Sequence, residues 1–323
     1  MSLNRWLTLI EMVIGCILYI ISFCFIVRIL YRIYKASKTG KWNLNVSPSL
    51  LIYYVCWAIQ IPTGMVSNLY VLINWTPNMT ENSNPINPNV MFWTSIITVC
   101  MSAIVPVSVF FLTVERILQI IYPFVYDEEK TRKLAVVTVV TLIICFIGNF
   151  VGICMELPLL PRTASCQTWA CLMIKTGGRV YSYTKIATGF LNTLSGIVFL
   201  YQFWRASRMI HPLHTNQWAI RKANRIALIV IGLEFFLNFM PQVTNMVLYQ
   251  FFGIVIGSYI GPYNLITASV DILISSIVYS QTGPKKIFQT QAVEAMKNKS
   301  KESNARPKIN NNNLFTVNVA STV

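Results

Sequence analysis

Acidic residues are scarce: the 323 residues hold 11 Asp and Glu against 26 Lys and Arg, for a formal net charge of +15. Charged residues of both signs reach only 11%, where soluble domains carry about 25%. So thin a polar surface could not keep the 54% of hydrophobic residues in solution. The same abundance excludes a disordered chain, which needs low hydrophobicity with high charge. Histidine occurs only at His211 and His214, together on one connection and far from any plausible nucleophile. There is no Gly-rich phosphate loop, no His-Glu-x-x-His and no nucleophile elbow, so neither an enzyme nor a metal or cofactor site is expected. No internal repeat is visible, which argues against a transporter built from duplicated halves.

What is present is hydropathy, with a mean of +0.55. A nucleic-acid binder would explain the charge but not this value; an integral membrane protein explains both. A hydrocarbon core of ~30 Å needs about 20 mostly apolar helical residues. Seven stretches qualify: Trp6–Ile33, Leu50–Ile73, Val90–Ile121, Leu134–Leu157, Tyr181–Trp204, Ile226–Phe252 and Ser258–Tyr279. The last is the weakest, interrupted by Gly261, Pro262, Asn264 and Asp271. The first is too long for the apolar region of a signal peptide and no small-x-small site follows it, so it reads as a retained span. An all-α seven-helix bundle is expected over 1–281. A cytoplasmic tail, 282–323, should begin with a short amphipathic helix (Lys285, Lys286, Ile287, Phe288) suited to an anionic lipid surface and then become disordered.

The positive charge is distributed unevenly over the connections. Twenty-one of the 26 Lys and Arg fall on one side of the seven spans, leaving Arg5, Arg162, Lys175, Arg179 and Lys185 on the other. The Lys and Arg bias sets topology, so the richer side is cytoplasmic, with the N-terminus outside and the C-terminus inside. Asn78-Met79-Thr80 is a glycosylation sequon in the first outer loop, whereas the sequons at Asn45 and Asn298 lie inside. Of eight cysteines, Cys166 and Cys171 occupy the second outer loop, where a bridge involving one of them is expected with its partner unread.

At the inner end of the third span stands Glu115-Arg116-Ile117, followed by Ile120, Pro123, Phe124 and Tyr126. An acid beside an Arg at a membrane boundary can form a local ion pair, although simple interfacial anchoring by a snorkelling Arg is the plainer account. In the sixth span Phe235 and Phe239 precede Pro241, which removes a helical hydrogen bond and predicts a kink. Ser275-Ser276-x-x-Tyr279 closes the seventh.

Glu-Arg-x-x-x-Ile-x-x-Pro-Phe-x-Tyr at the end of the third of seven spans resembles the signature of rhodopsin-like G-protein-coupled receptors. The aromatic-flanked proline of the sixth span resembles that family's hinge, and Ser275-Ser276-x-x-Tyr279 stands where the family has Asn-Pro-x-x-Tyr. Several landmarks are missing: no acid occurs in the second span, no proline in the fifth, no tryptophan in the fourth. The usual cysteine at the outer end of the third span would fall at Met91. This combination resembles the nematode serpentine chemoreceptors, over about residues 1–290, without fixing a subfamily.

The resemblance implies a chemosensory receptor for a small environmental or pheromone-like molecule, coupled to a heterotrimeric G protein. Glu115, Arg116, Pro123, Phe124, Tyr126, Phe235, Phe239, Pro241 and Tyr279 would form its switch. By depth and family analogy, Thr98, Met101, Ser102, Phe239, Gln242, Val243, Met246 and Ser269 are candidates for the ligand pocket. They are mostly apolar with hydroxyls and one amide, which favours a neutral or lipophilic ligand. Asp271, central in its span, is the candidate for an ion, proton or ligand contact, against the plainer role of a partner to Asn68 or Asn238. Arg208, Arg221, Lys222 and Arg225 offer basic groups to a G protein, and Ser321-Thr322-Val323 fits a PDZ-type carboxylate motif. A peptide or neuromodulator receptor would use the same scaffold. A transporter or ligand-gated channel is the alternative from another class, and predicts a continuous polar path where these acids are scattered.

Overall fold

In the computed structural model, residues 2–38, 47–76, 85–122, 128–159, 169–173, 175, 178–209, 217–252 and 263–282 are described, and they contain helices and turns but no strand. Seven long helices follow one another: α1 (Ser2–Lys38), α2 (Pro48–Ile73), α3 (Pro88–Ile121), α4 (Glu128–Cys154), α5 (Arg179–Met209), α6 (217–252) and α7 (Tyr263–Thr282). A 3-10 turn, Trp169–Leu172, lies between α4 and α5.

Six helices are long and apolar enough to cross a membrane: Trp6–Lys35, Pro48–Ile73, Pro88–Ile121, Glu129–Cys154, Arg179–Ala206 and Asn224–Phe252. In α7 the apolar stretch is shorter, Asn264–Ser280. The expected start at Ser258 falls in 253–262, which lie outside the described residues. The fourth helix ends at Cys154 rather than at Leu157.

Helix starts follow the local chemistry. Asn87 caps α3, its side chain accepting from the Asn89 N–H at 2.9 Å, with Pro88 at the first helical position, where its missing N–H costs nothing. Ser47 and Pro48 open α2 in the same way, but the Ser47 hydroxyl makes no bond to its own helix.

Helix α3 is the axis of the bundle. Of its spanning window 67% is buried, against 17% for α4, and it packs on α2, α4 and α5. The α4 face carrying Val136, Val140, Ile143, Ile144 and Ile147 is exposed, as a helix turned toward lipid should be. Lipid is as apolar as these side chains, so helix association depends on close packing and on polar contacts between helices. Two glycines serve that packing: a Cβ on Gly64 would meet Tyr19 of α1 and Thr98 of α3, and one on Gly189 of α5 would lie 2.2 Å from Cδ2 of Phe239.

Helix α6 departs from regular geometry near its middle. Gln217–Leu233 is α-helical, Glu234–Phe239 forms a π-helical turn, and Met240–Phe252 resumes the α-helix. Pro241 has no N–H to give to the carbonyl four residues back, and its ring crowds that position. The turn before it opens accordingly, with the Met240 N–H reaching the Phe235 carbonyl. The simple proline kink expected here is therefore a π-turn ending just before the proline.

Candidate functional site

The C-terminal end of α3, expected on the inner side, holds a compact polar cluster. Glu115 is 1% exposed, and a carboxylate so buried needs hydrogen-bond donors. The start of α2 supplies them: the Ser47 hydroxyl donates to Oε2 of Glu115, and the Ser49 N–H donates to the same oxygen at 3.3 Å. The positive end of the α2 dipole thus faces the acid. Gln119, one turn along α3, donates from Nε2 to Oε1 of Glu115 at 3.2 Å and accepts from Nη1 of Arg116 at 2.8 Å. Acid and Arg are thus linked through an amide, because neighbouring residues on a helix point in different directions.

Arg116, 7% exposed, also lies close enough for its charge to act on the phenol of Tyr279. The Tyr279 ring stands 5.2 Å from that of Tyr54. Tyr54 donates to the Ser275 carbonyl at 3.3 Å, and Tyr53 donates to the Ser275 hydroxyl at 3.4 Å. Arg116 and Tyr279 of the expected switch are therefore near one another, and two tyrosines of α2 that sequence reasoning did not single out hold α7 beside them at Ser275 and Tyr279. A Tyr-Tyr pair inside an apolar span was the available signal, since each buried phenol requires a partner.

Farther into the bundle, Asp271 is 1% exposed. Its Oδ2 accepts from Nδ2 of Asn238 at 2.9 Å and its Oδ1 from Ser275 at 3.4 Å. Asn238 is thus a partner of Asp271, as the plainer account has it. The same Nδ2 donates to Oε2 of Glu234 at 3.0 Å. Lys185, counted in sequence among outer-face charges, is instead buried on α5, with Nζ 5.2 Å from the centre of the Tyr181 ring and its charge acting on Glu234.

The candidate pocket residues separate. Ser102 donates to the Val99 carbonyl at 2.9 Å and lies 3.2 Å from the Tyr181 hydroxyl, whose ring meets Trp169 at 5.9 Å. Phe239 fits against Gly189 and lies 5.8 Å from Phe235. Met101, Gln242 and Ser269 are buried, and Val243 is half-buried. Thr98 turns toward α2, where its methyl approaches Gly64. Met246 is 42% exposed: the expectation that it lines the pocket is corrected, because its side chain faces away from the interior.

At the N-terminal end of α3, the segment after α4 packs against the bundle. Leu172 and Met173 belong to one apolar cluster with Met91, Phe92, Ile96 and Cys100 of α3. The Lys175 N–H donates to Glu156 at 2.8 Å, and its ammonium bonds the Pro158 carbonyl. Where the rhodopsin-like pattern has a cysteine, Met91 takes part in an apolar contact with the same outer segment. Cys100 and Cys154 are free thiols. Pro123, Phe124, Tyr126, Asn78, Cys166, His211, His214 and the tail lie outside the described residues, as does the side chain of Cys171.

A family model for the serpentine type 7TM GPCR chemoreceptor Srbc matches residues 5–285. The chain belongs to the Srbc family. Srbc is a nematode chemoreceptor family, so the resemblance inferred from the third-span motif is shown and its subfamily is now fixed. The Srbc chain is a multi-pass membrane protein of a receptor family rather than an enzymatic one. No curated protein matches it.

Proposed function

We propose that this Srbc protein is a ligand-biased, two-state chemosensory receptor with its N-terminus outside. It detects a small neutral or lipophilic molecule and activates a heterotrimeric G protein from the inner face. The observation that carries this reading is the buried Glu115–Gln119–Arg116 cluster at the inner end of α3, anchored to the start of α2 and adjoining Tyr279 of α7. Ligand favours a state in which the inner half of α6 swings at the π-turn before Pro241 and Arg116 leaves Gln119 for the G protein. Glu115 stays with α2, held by Ser47 and Ser49.

The ligand sits between the outer halves of α3, α5, α6 and α7, against Met101, Ser102, Phe239, Gln242, Val243 and Ser269. Arg208, Arg221, Lys222 and Arg225 face the acidic surfaces of the G protein. The tail from Lys285 rests on anionic lipid, and Ser321-Thr322-Val323 offers a carboxylate to a PDZ-type partner. The receptor works at the plasma membrane, in a sensory cilium.

The test is ligand-dependent G-protein activation in cells expressing the receptor and screened with small volatile and lipophilic compounds, with Arg116→Ala as control. Activation lost in Arg116→Ala at equal surface expression supports the reading. A ligand-evoked current that survives G-protein blockade overturns it in favour of a channel.

A further inference from the structure

We propose that Asn238 is a positioning residue that latches α6 to α7 in the resting receptor, and that both of its bonds break as α6 moves; this rests on the receptor reading above. One nitrogen holds two acids. Nδ2 of Asn238 donates to Glu234 on its own π-turn at 3.0 Å and to Asp271 of α7 at 2.9 Å. Both acids are buried, at 2% and 1% exposure. Carboxylates inside a membrane bundle cost several kcal/mol unless their oxygens meet donors or charge. The amide therefore does more than fill space: it joins two buried acids on different helices through one nitrogen.

The position of the amide makes the joint a switch. Asn238 lies in the π-turn, three residues before Pro241, where α6 is least regular. Hydrogen bonds weaken steeply as they bend, and one Nδ2 serves both acids, so a displacement of the π-turn disturbs the Asp271 and Glu234 bonds together. The groups facing the joint come from α7 itself and from two further helices, α5 and α2. Lys185 of α5 acts on Glu234, Ser275 of α7 donates to Asp271, and Tyr53 of α2 donates to Ser275. Through Ser275, Tyr54 and Tyr279 the contacts continue to Arg116. The π-turn and the inner cluster are thus physically contiguous, and the irregular turn is the element with two arrangements that such coupling requires.

The experiment uses the full-length receptor and needs no ligand. Asn238→Leu keeps the size of the side chain and removes both bonds. Asp271→Asn keeps the shape of its site and replaces one acceptor oxygen by an NH2 donor. Two readouts are taken for each: ligand-independent G-protein activation at matched surface expression, and the rate at which a water-soluble maleimide labels Ala227→Cys in open membrane sheets. Ala227 is 2% exposed on the inner half of α6, so its labelling reports outward movement whether or not signalling occurs. Asn238→Leu should raise basal activation and labelling about tenfold, the bias of two ordinary hydrogen bonds lost together, with a smaller rise for Asp271→Asn. A gain of activity is not an effect of impaired folding. Labelling rates unchanged in both variants overturn the latch. Faster labelling with no G-protein activation in any variant or in the parent keeps the latch and overturns the G-protein reading.

Discussion

Ser47 gives its hydroxyl to Glu115, 68 residues farther along the chain, and in doing so leaves its own helix without a side-chain cap. A cap residue ordinarily satisfies the first N–H groups of its helix. Here the start of α2 is turned outward to hold a carboxylate of α3, and the buried acid of the Glu-Arg motif is thereby fixed to a second helix. Ser47→Ala should lower the thermal stability of the detergent-solubilised receptor by about 1–2 kcal/mol, the worth of a hydrogen bond to a charged group. It should also raise basal signalling, because Glu115 keeps only the Ser49 N–H and Gln119. Thermal unfolding and basal G-protein activation, measured on the same preparations, check both effects; unchanged values would remove Ser47 from the switch.

Two glycines on lipid-spanning helices should respond oppositely to alanine. At Gly189 the new Cβ would lie 2.2 Å from Phe239, so the π-turn of α6 must shift. Overpacking of this kind costs about 1–3 kcal/mol. At Gly148 of α4 nothing lies within 4 Å, and alanine should be neutral or stabilising by up to about 1 kcal/mol. Thermal midpoints of Gly189→Ala and Gly148→Ala against the parent decide the comparison, and equal midpoints would contradict the α5–α6 fit.

Leu172→Ala should loosen the outer cover. Leu172 is 1% exposed in the cluster with Met91 and Phe92, and truncating a buried leucine costs about 2–5 kcal/mol. Hydrogen exchange of residues 169–173 should quicken while the inner half of α3 keeps its protection. Uniform change across the chain would mean that the segment is not a local clamp.

Asn78→Gln should abolish an endoglycosidase-sensitive shift in gel mobility, since the proposed topology puts this sequon outside. Asn298→Gln should change nothing. Sugar found on Asn298 would reverse the assigned orientation.

Two of the membrane helices were legible in sequence almost to their ends: α2 and α3 end at Ile73 and Ile121, as their apolar runs do. Helix ends were less legible where the chain continues past the apolar run, as at Lys38 and Met209, because hydrogen bonding along a helix does not stop where hydropathy does. Arg116 and Tyr279 were picked out by spacing, yet their surroundings were not. Ser47 carries no local mark of function, and the Tyr53-Tyr54 pair signals only that two phenols need partners; the partners come from α3 and α7, which lie against α2. The outward-facing Met246 shows the converse, since depth along a helix was readable and the face was not, once the π-turn had shifted the register of α6.

Composition and the partition of charge were enough by themselves to determine a membrane protein of apolar helices, because length and hydropathy are properties of consecutive residues. The Glu-Arg motif, likewise consecutive, was enough to name a receptor class. Only the tertiary structure decided what the acids do. Glu115 sits on the start of α2, and Asp271 and Glu234 share one amide of α6, because a buried carboxylate must find donors wherever the packing of helices brings them, and that packing is set by residues far apart in the chain.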